Sequence, residues 1–256
     1  MPVLSTDLLL YCSANMPEDD TSTSGGGIDA TGASSAPGVR PSFSQMSADD
    51  TIQAVCDTAD TRDITVFARK PDGSIASETK TLTGNTPITL STLGTVERIL
   101  KVTLSTTDPN STVTVRRTTG PVTISTVPPN EKGFRLMFYD AASEASPTIR
   151  YEKIFWINKN STTALNAAKV QISQDASPTG KLRQGITTSK GDTSSVANRK
   201  ATPGGVTFVG IGVDQNVPTT VLGASEKIGV WTELSLLAND DPIRSFYQSR
   251  LSGTTV

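Results

Sequence analysis

Apolar and polar residues alternate with a period of two over much of this chain, the spacing of strands that bury one face. Residues 64–69 (ITVFAR) alternate, and Pro71, Asp72 and Gly73 then supply a turn. Residues 75–82 return as a polar, Thr-rich strand, and Thr86-Pro87 breaks it. Residues 97–105 alternate around Ile99 and Leu100, Asp108-Pro109-Asn110 turns the chain, and 112–116 (TVTVR) and 121–127 are two further strands. Residues 134–139 are apolar and aromatic, and 148–158 (TIRYEKIFWIN) form the strongest strand pattern. Residues 168–173 alternate with Val170 and Ile172 inward, and 181–188, 205–209 and 227–237 complete a second set. Strands eight to twelve residues apart with turns between them predict sandwiches or barrels.

Helical spacing is scarce. Residues 143–145 would make one turn. In 240–251, Asp240 or Asp241 would cap, Pro242 would take the first turn, and Ile243, Phe246, Tyr247 and Arg250 would share a face. The same stretch reads equally as a terminal strand.

Breaks in the pattern divide the chain. Residues 1–50 read as an extended N-terminal arm: an apolar strand at 3–12, acidic residues at 18–20, then Gly/Ser-rich stretches at 21–27 and 32–41. Such an arm gains order only by lying on a neighbouring subunit or on the domains behind it. Residues 51–128 form a first domain. The run Pro128-Pro129-Asn130-Glu131-Lys132-Gly133 marks the boundary to a second at 129–256. Both tryptophans, Trp156 and Trp231, fall in that half and predict its denser core.

Composition supports the β reading and narrows the chemistry. About a quarter of the 256 residues are Ser or Thr, residues of strands and turns. There is no histidine, so no His-based triad can form. A net charge of -2 argues against a general nucleic-acid binder, which needs a basic face. No window approaches the ~18 apolar residues of a membrane span. Neither nucleic acid nor membrane is therefore expected as a partner.

Cys12 and Cys56 lie in apolar, strand-like surroundings and read as buried free thiols, with a single disulfide as the alternative. Glu18-Asp19-Asp20, Asp57 with Asp60 and Asp63, and Asn239-Asp240-Asp241 could each supply oxygens to calcium, but none follows a calcium loop, and they read first as turn residues. The pair Arg116-Arg117 reads as a salt-bridge site or solvated edge. Asn110-Ser111-Thr112 and Asn160-Ser161-Thr162 match the glycan acceptor pattern, which recurs by chance in Thr-rich chains. Tyr151, Phe155 and Trp156 offer a sugar-stacking platform, or a core strand bracketed by Ile149, Ile154 and Ile157. The glycine pairs at 204–205 and 210/212 read as bends. No catalytic, cofactor-binding or metal residue is assigned, no cofactor is expected, and the chain is read as a non-enzyme.

Three segments carry a family resemblance: LLLYCSANMPEDD, PPNEKGFRLMFYDAASEASPTIRYEKIFWINKN and KIGVWTELSLLANDDPIRS. They resemble structural proteins encoded among the head genes of tailed bacteriophages. The unit TVFARKPDGSIASETKTLTG is similar to the β modules of phage virion proteins. The resemblance lies in texture and segment order and transfers no site residue. It implies a decoration or cement protein on the capsid exterior, assembled in the host cytoplasm. Its partners would be the major capsid protein and its own copies, a homo-oligomer such as a trimer.

The expected fold is all-β: two β-sandwich domains, jelly-roll or Ig-like, behind an extended arm. An open edge at 112–116 would receive a partner's arm by strand addition. The alternatives are a neck, tail or baseplate component, a glycan-binding adhesin with an exposed aromatic groove, and a hydrolase with convergent carboxylates.

Overall fold

A computed structural model of the chain describes residues 2–16, 38–139, 143–175, 181–240 and 246–255. Among these residues there are seventeen strands and two single-turn 3-10 helices, so the protein is all-β. The strands fall in two compact units. One is Ser35–Met137; the other joins Met1–Ser34 to Phe138–Val256. The first strand, β1 (Leu8–Cys12), belongs to the second of these units.

The unit Ser35–Met137 contains β2 (Val39–Arg40), β3 (Ile52–Cys56), β4 (Asp63–Arg69), β5 (Ile75–Thr81) and β6 (Ile88–Thr89). It continues with β7 (Arg98–Leu104), β8 (Val113–Arg117), β9 (Thr123–Val127) and β10 (Gly133–Arg135). Its two sheets run β2-β10-β7-β4-β5 and β6-β3-β8-β9. All pairings are antiparallel except the short β10–β2 contact. Alternation fixes what is buried: Ile64, Val66 and Ala68 of β4, Ile52, Ala54 and Cys56 of β3, and Val113 and Val115 of β8. These join Val102, Leu104, Val127 and Phe134 in one apolar cluster drawn from both sheets.

β7 breaks strict alternation, because Ile99 and Leu100 are both buried. The cause is a bulge: Phe67 faces Lys101 and Ala68 faces Ile99, leaving Leu100 as the extra residue. The predicted turn after β4 is present, with Gly73 at φ 85° and its N–H donating to the Lys70 carbonyl at 2.9 Å. Gly133 permits the close pairing of β10 with β7. Its φ is 152°, and a Cβ there would sit 1.9 Å from the Val102 carbonyl oxygen.

The other unit contains β1, β11 (Thr148–Asn158), β12 (Leu165–Asp175), β13 (Leu182–Lys190) and β14 (Gln215–Asn216). Its remaining strands are β15 (Val221–Leu222), β16 (Lys227–Leu236) and β17 (Tyr247–Thr254). One sheet runs β1-β11-β16-β13; in the second, β12 pairs β14 and β15 along one edge and β17 along the other. Side chains tie the two sheets together. The Trp156 indole N–H donates to Ser249 Oγ at 3.1 Å, and the Tyr247 hydroxyl meets Thr232 Oγ1 at 3.3 Å.

Several sequence expectations change. The segment read as an arm is divided between the units, because β1 pairs with β11 from Leu8↔Asn158 to Cys12↔Ile154 while β2 pairs with β10. Tyr11 and Cys12 are buried there as core residues. The Gly/Ser-rich residues 21–27 and most of 32–41, with the acidic residues 18–20, lie outside the described residues. The expected boundary at 128/129 falls inside a unit, since β10 pairs with β7. The edge expected at 112–116 is interior: β8 lies between β3 and β9. Residues 205–209 form no strand, only a bridge from Val209 to Gln184. Residues 143–145 form no helix, and the stretch read as helix or strand is strand from Tyr247 onward, with 241–245 outside the described residues. Among the described residues no helix is long and apolar enough to cross a membrane.

Candidate functional site

Of the acidic residues singled out in the sequence, the described ones, Asp57, Asp60, Asp63 and Asp240, act as separate structural ties. Asp60 is buried; it receives Arg62 Nη2 at 2.5 Å and Ser111 Oγ at 2.7 Å. Burial alone would raise its carboxyl, but the hydrogen bonds from Arg62 and Ser111 outweigh it and hold Asp60 well below the ordinary range. Asp57 accepts the Thr112 N–H, and Asp63 accepts the Thr81 hydroxyl. Asp240 accepts Lys181 Nζ and the Leu237 N–H. Among the described residues, no group of three or more Cys, Asp or Glu could hold a metal ion.

Both cysteines are free and buried. Burial, with Asp60 beside it, pushes the Cys56 thiol up to about 11, so it stays protonated near neutral pH. Arg116 donates to the Gln53 side chain. Asn110 sits on an Asx turn set by Asp108. Both ends of the Asn160 amide are occupied: its nitrogen donates to Asp7, and its oxygen accepts from the Thr162 and Thr163 amides.

The aromatic residues of β11 do not form a platform. Tyr151 and Phe155 are buried on one face of the strand, where Tyr151 packs against Phe208 with ring centroids 5.5 Å apart. Trp156 points to the opposite face, toward β17. The exposed groove that a sugar-binding reading requires is therefore absent at these three residues.

A cluster of buried charge lies on β11, at residues that the sequence pattern did not single out. Arg150, Glu152 and Lys153 are all buried within β11. The segment 191–202 runs along the edge of this strand, and its Arg199 carbonyl accepts the Tyr151 N–H at 2.7 Å. Glu152 and Lys153 are consecutive and so point to opposite faces, and the segment engages both. On one face the Arg199 guanidinium pairs with Glu152, both fully buried, and lies 5.7 Å from the Phe138 ring centroid. On the other, Lys153 Nζ donates to Asp192 Oδ2 at 3.0 Å and to the Ser194 carbonyl at 2.8 Å, 5.1 Å from the ring centroids of Phe155 and Trp231.

Burial holds the Lys153 ammonium below its ordinary value, and Asp192 offsets only part of that effect. The space for its stem comes from Gly229, where a Cβ would lie 3.0 Å from Lys153 Cε and 2.7 Å from Thr187 Cγ2. Glu144 adds an outer contact, accepting from Arg150 at 2.7 Å and Lys200 at 2.5 Å. A cation enclosed this tightly works as a strut: the arrangement clasps a loop to a strand edge from both sides. The missed signal was visible in TIRYEKIFWIN, where charges occupy both parities of an otherwise apolar strand.

What remains open lies on the surface. β5 is exposed at every second residue, and among the described residues it pairs only with β4, so that none of them covers this edge of the sheet. On the other unit, Ile211 and Val213 are exposed on a turn held by the Gly212 N–H donating to the Ile172 carbonyl.

No protein-family model matches the sequence, and no curated protein matches it. Among solved structures, the crystal structure of the infectious bursal disease virus VP2 subviral particle aligns over 100% of this chain and 68% of that chain. The identity is 11% and the TM-score 0.15, a likeness too slight to carry an argument.

Proposed function

We propose that the chain is a structural protein of a tailed-phage virion that binds and stabilises the capsid shell as a decoration or cement protein. Each unit would then be a β-sandwich of jelly-roll or Ig type. The observation that carries this reading is that the chain holds two separately packed β units, a sheet edge that no described residue covers, and exposed apolar loop residues. The resemblance of the quoted segments to phage head proteins supports it. Repetition over a shell lets individually weak contacts add to stable attachment, so neither a deep cleft nor a catalytic group is needed. The partners are the major capsid protein and further copies of the chain, met on the outer face of the capsid after assembly in the host cytoplasm.

The division of residues 1–50 changes where the shell contact is sought. The arm expected at 1–50 is the proposed shell contact; β1 and β2 are built into the two units, and the proposal is tested on the intervening residues 17–37, which lie outside the described residues. The test adds purified chain to particles that lack it and measures bound copies by sedimentation. Saturable binding is expected, with at least a tenfold loss when residues 18–36 are replaced by an unrelated segment of equal length. Absence of binding by the natural chain overturns the reading. Unchanged binding by the replaced chain overturns the contact assignment.

A further inference from the structure

We infer that β5 is a self-pairing edge: two copies of the chain join β5 to β5 antiparallel about a twofold axis at Thr79. Among the described residues, the outward backbone groups of β5 have no partner, and the strand pairs with β4 alone. The direction of each group follows from the ladder. Leu82 N–H donates to the Arg62 carbonyl and Lys70 N–H to the Ser74 carbonyl, which places even-numbered groups of β5 toward β4. The N–H and C=O of Ile75, Ser77, Thr79 and Thr81 therefore point out of the sheet. No proline interrupts them.

Charged edge residues ordinarily oppose such pairing. Here they choose its register. Glu78 and Lys80 share the face of Val66 and Ile64, and each is anchored to its own chain: Glu78 accepts the Leu93 N–H at 2.9 Å, and Lys80 Nζ donates to the Thr89 carbonyl at 2.7 Å. Antiparallel pairing through outward groups sets odd residues opposite odd residues. An axis at Glu78 would place two Glu78 carboxylates face to face. An axis at Ser77 would set Glu78 against Ala76 and leave Lys80 without an opposite charge. An axis at Thr79 places Glu78 opposite the partner's Lys80 twice, in the closely spaced, non-hydrogen-bonded positions. It also pairs Ser77 with Thr81 and Thr79 with itself through main-chain bonds. The product is one continuous ten-stranded sheet closed by a twofold axis, with both β5 edges removed.

This inference does not depend on the virion reading, and its test uses the isolated full chain. Sedimentation velocity over rising concentration is expected to show a monomer–dimer equilibrium. Glu78→Lys and Lys80→Glu each create like-charge pairs and should weaken the dimer roughly tenfold, and the double swap should restore it. Thr79→Pro removes an outward N–H and no main-chain bond to β4, losing within the chain only the hydroxyl contact with Thr65, and should also dissociate the dimer. Thr79→Cys, on the axis with ~5.5 Å between Cα atoms, should form a disulfide-linked dimer under mild oxidation. A natural chain that stays monomeric to about 100 μM overturns the inference. So does a Thr79→Cys chain that does not cross-link, or a folded double swap that remains as weak as the single variants. A dimer that never joins particles would leave this contact standing and defeat the proposed function.

Discussion

Asp60 shows how much one side chain decides in a small apolar core. It sits at the rim of the cluster beside Cys56 and fixes Arg62 and Ser111. Its folded-state pKa lies below the ordinary 3.8, so it stabilises the fold fully above that value and progressively less as the pH falls beneath it. Asp60→Asn removes the charge opposite Arg62 and should cost about 3 kcal/mol in denaturant unfolding at neutral pH. The same variant should flatten the stability profile below pH 4 relative to the natural chain. An acid limb of unchanged steepness would mean that another carboxylate controls it. From sequence alone, Asp60 was one of three aspartates at turn spacing. What sets it apart is Ser111, a partner 51 residues away that no local pattern reveals.

At the scale of elements, the clasp on β11 makes a sharper demand. Arg199→Ala removes the buried guanidinium paired with Glu152 and should destabilise its unit by about 3–5 kcal/mol. Hydrogen exchange at the Tyr151 amide, which donates to the Arg199 carbonyl, should accelerate in that variant before the β16 amides do. Equal acceleration along both strands would show that the segment has no local role. Truncation of residues 1–12 strips β1 from the edge of β11 and exposes Ile154 and Phe155. It should abolish the unfolding transition of that unit while leaving protection in β4 and β7 intact.

The long strands were legible from alternation or from continuous composition. β4 and β7 lie where alternation predicts, β5 where a polar, Thr-rich return was expected, and β11 and β16 within the expected strands at 148–158 and 227–237; Val170 and Ile172 of β12 are buried as expected. β2, β6, β14 and β15 are two residues each and carry no period at all. β17 was ambiguous because Phe246, Tyr247 and Arg250 fit helical spacing. Pairing with β12 decides it, from Tyr247 opposite Asp175 to Thr254 opposite Asn166.

For the whole molecule, the sequence conveyed the all-β class but not the wiring. β1 finds its partner some 140 residues downstream, so an apparent arm is a structural edge. β10 returns across a run of prolines that looked like a boundary, because Gly133 can approach the Val102 carbonyl. Pairings at that separation depend on which faces fit, and no window of sequence holds both sides. The interior of the unit that holds both tryptophans also encloses charge, at Arg150, Glu152 and Lys153. Trp231 is buried beside Lys153, and Trp156 is only partly covered.

The proposed attachment to a capsid rests on surfaces rather than a cleft, so position and number on the particle are its most direct measure. Imaging of the virion that contains this chain, with the copy number counted from the reconstruction, tests it. The account predicts hundreds of copies on the outer face of the shell. Twelve copies or fewer on the neck or tail axis, or none on the particle, would contradict it.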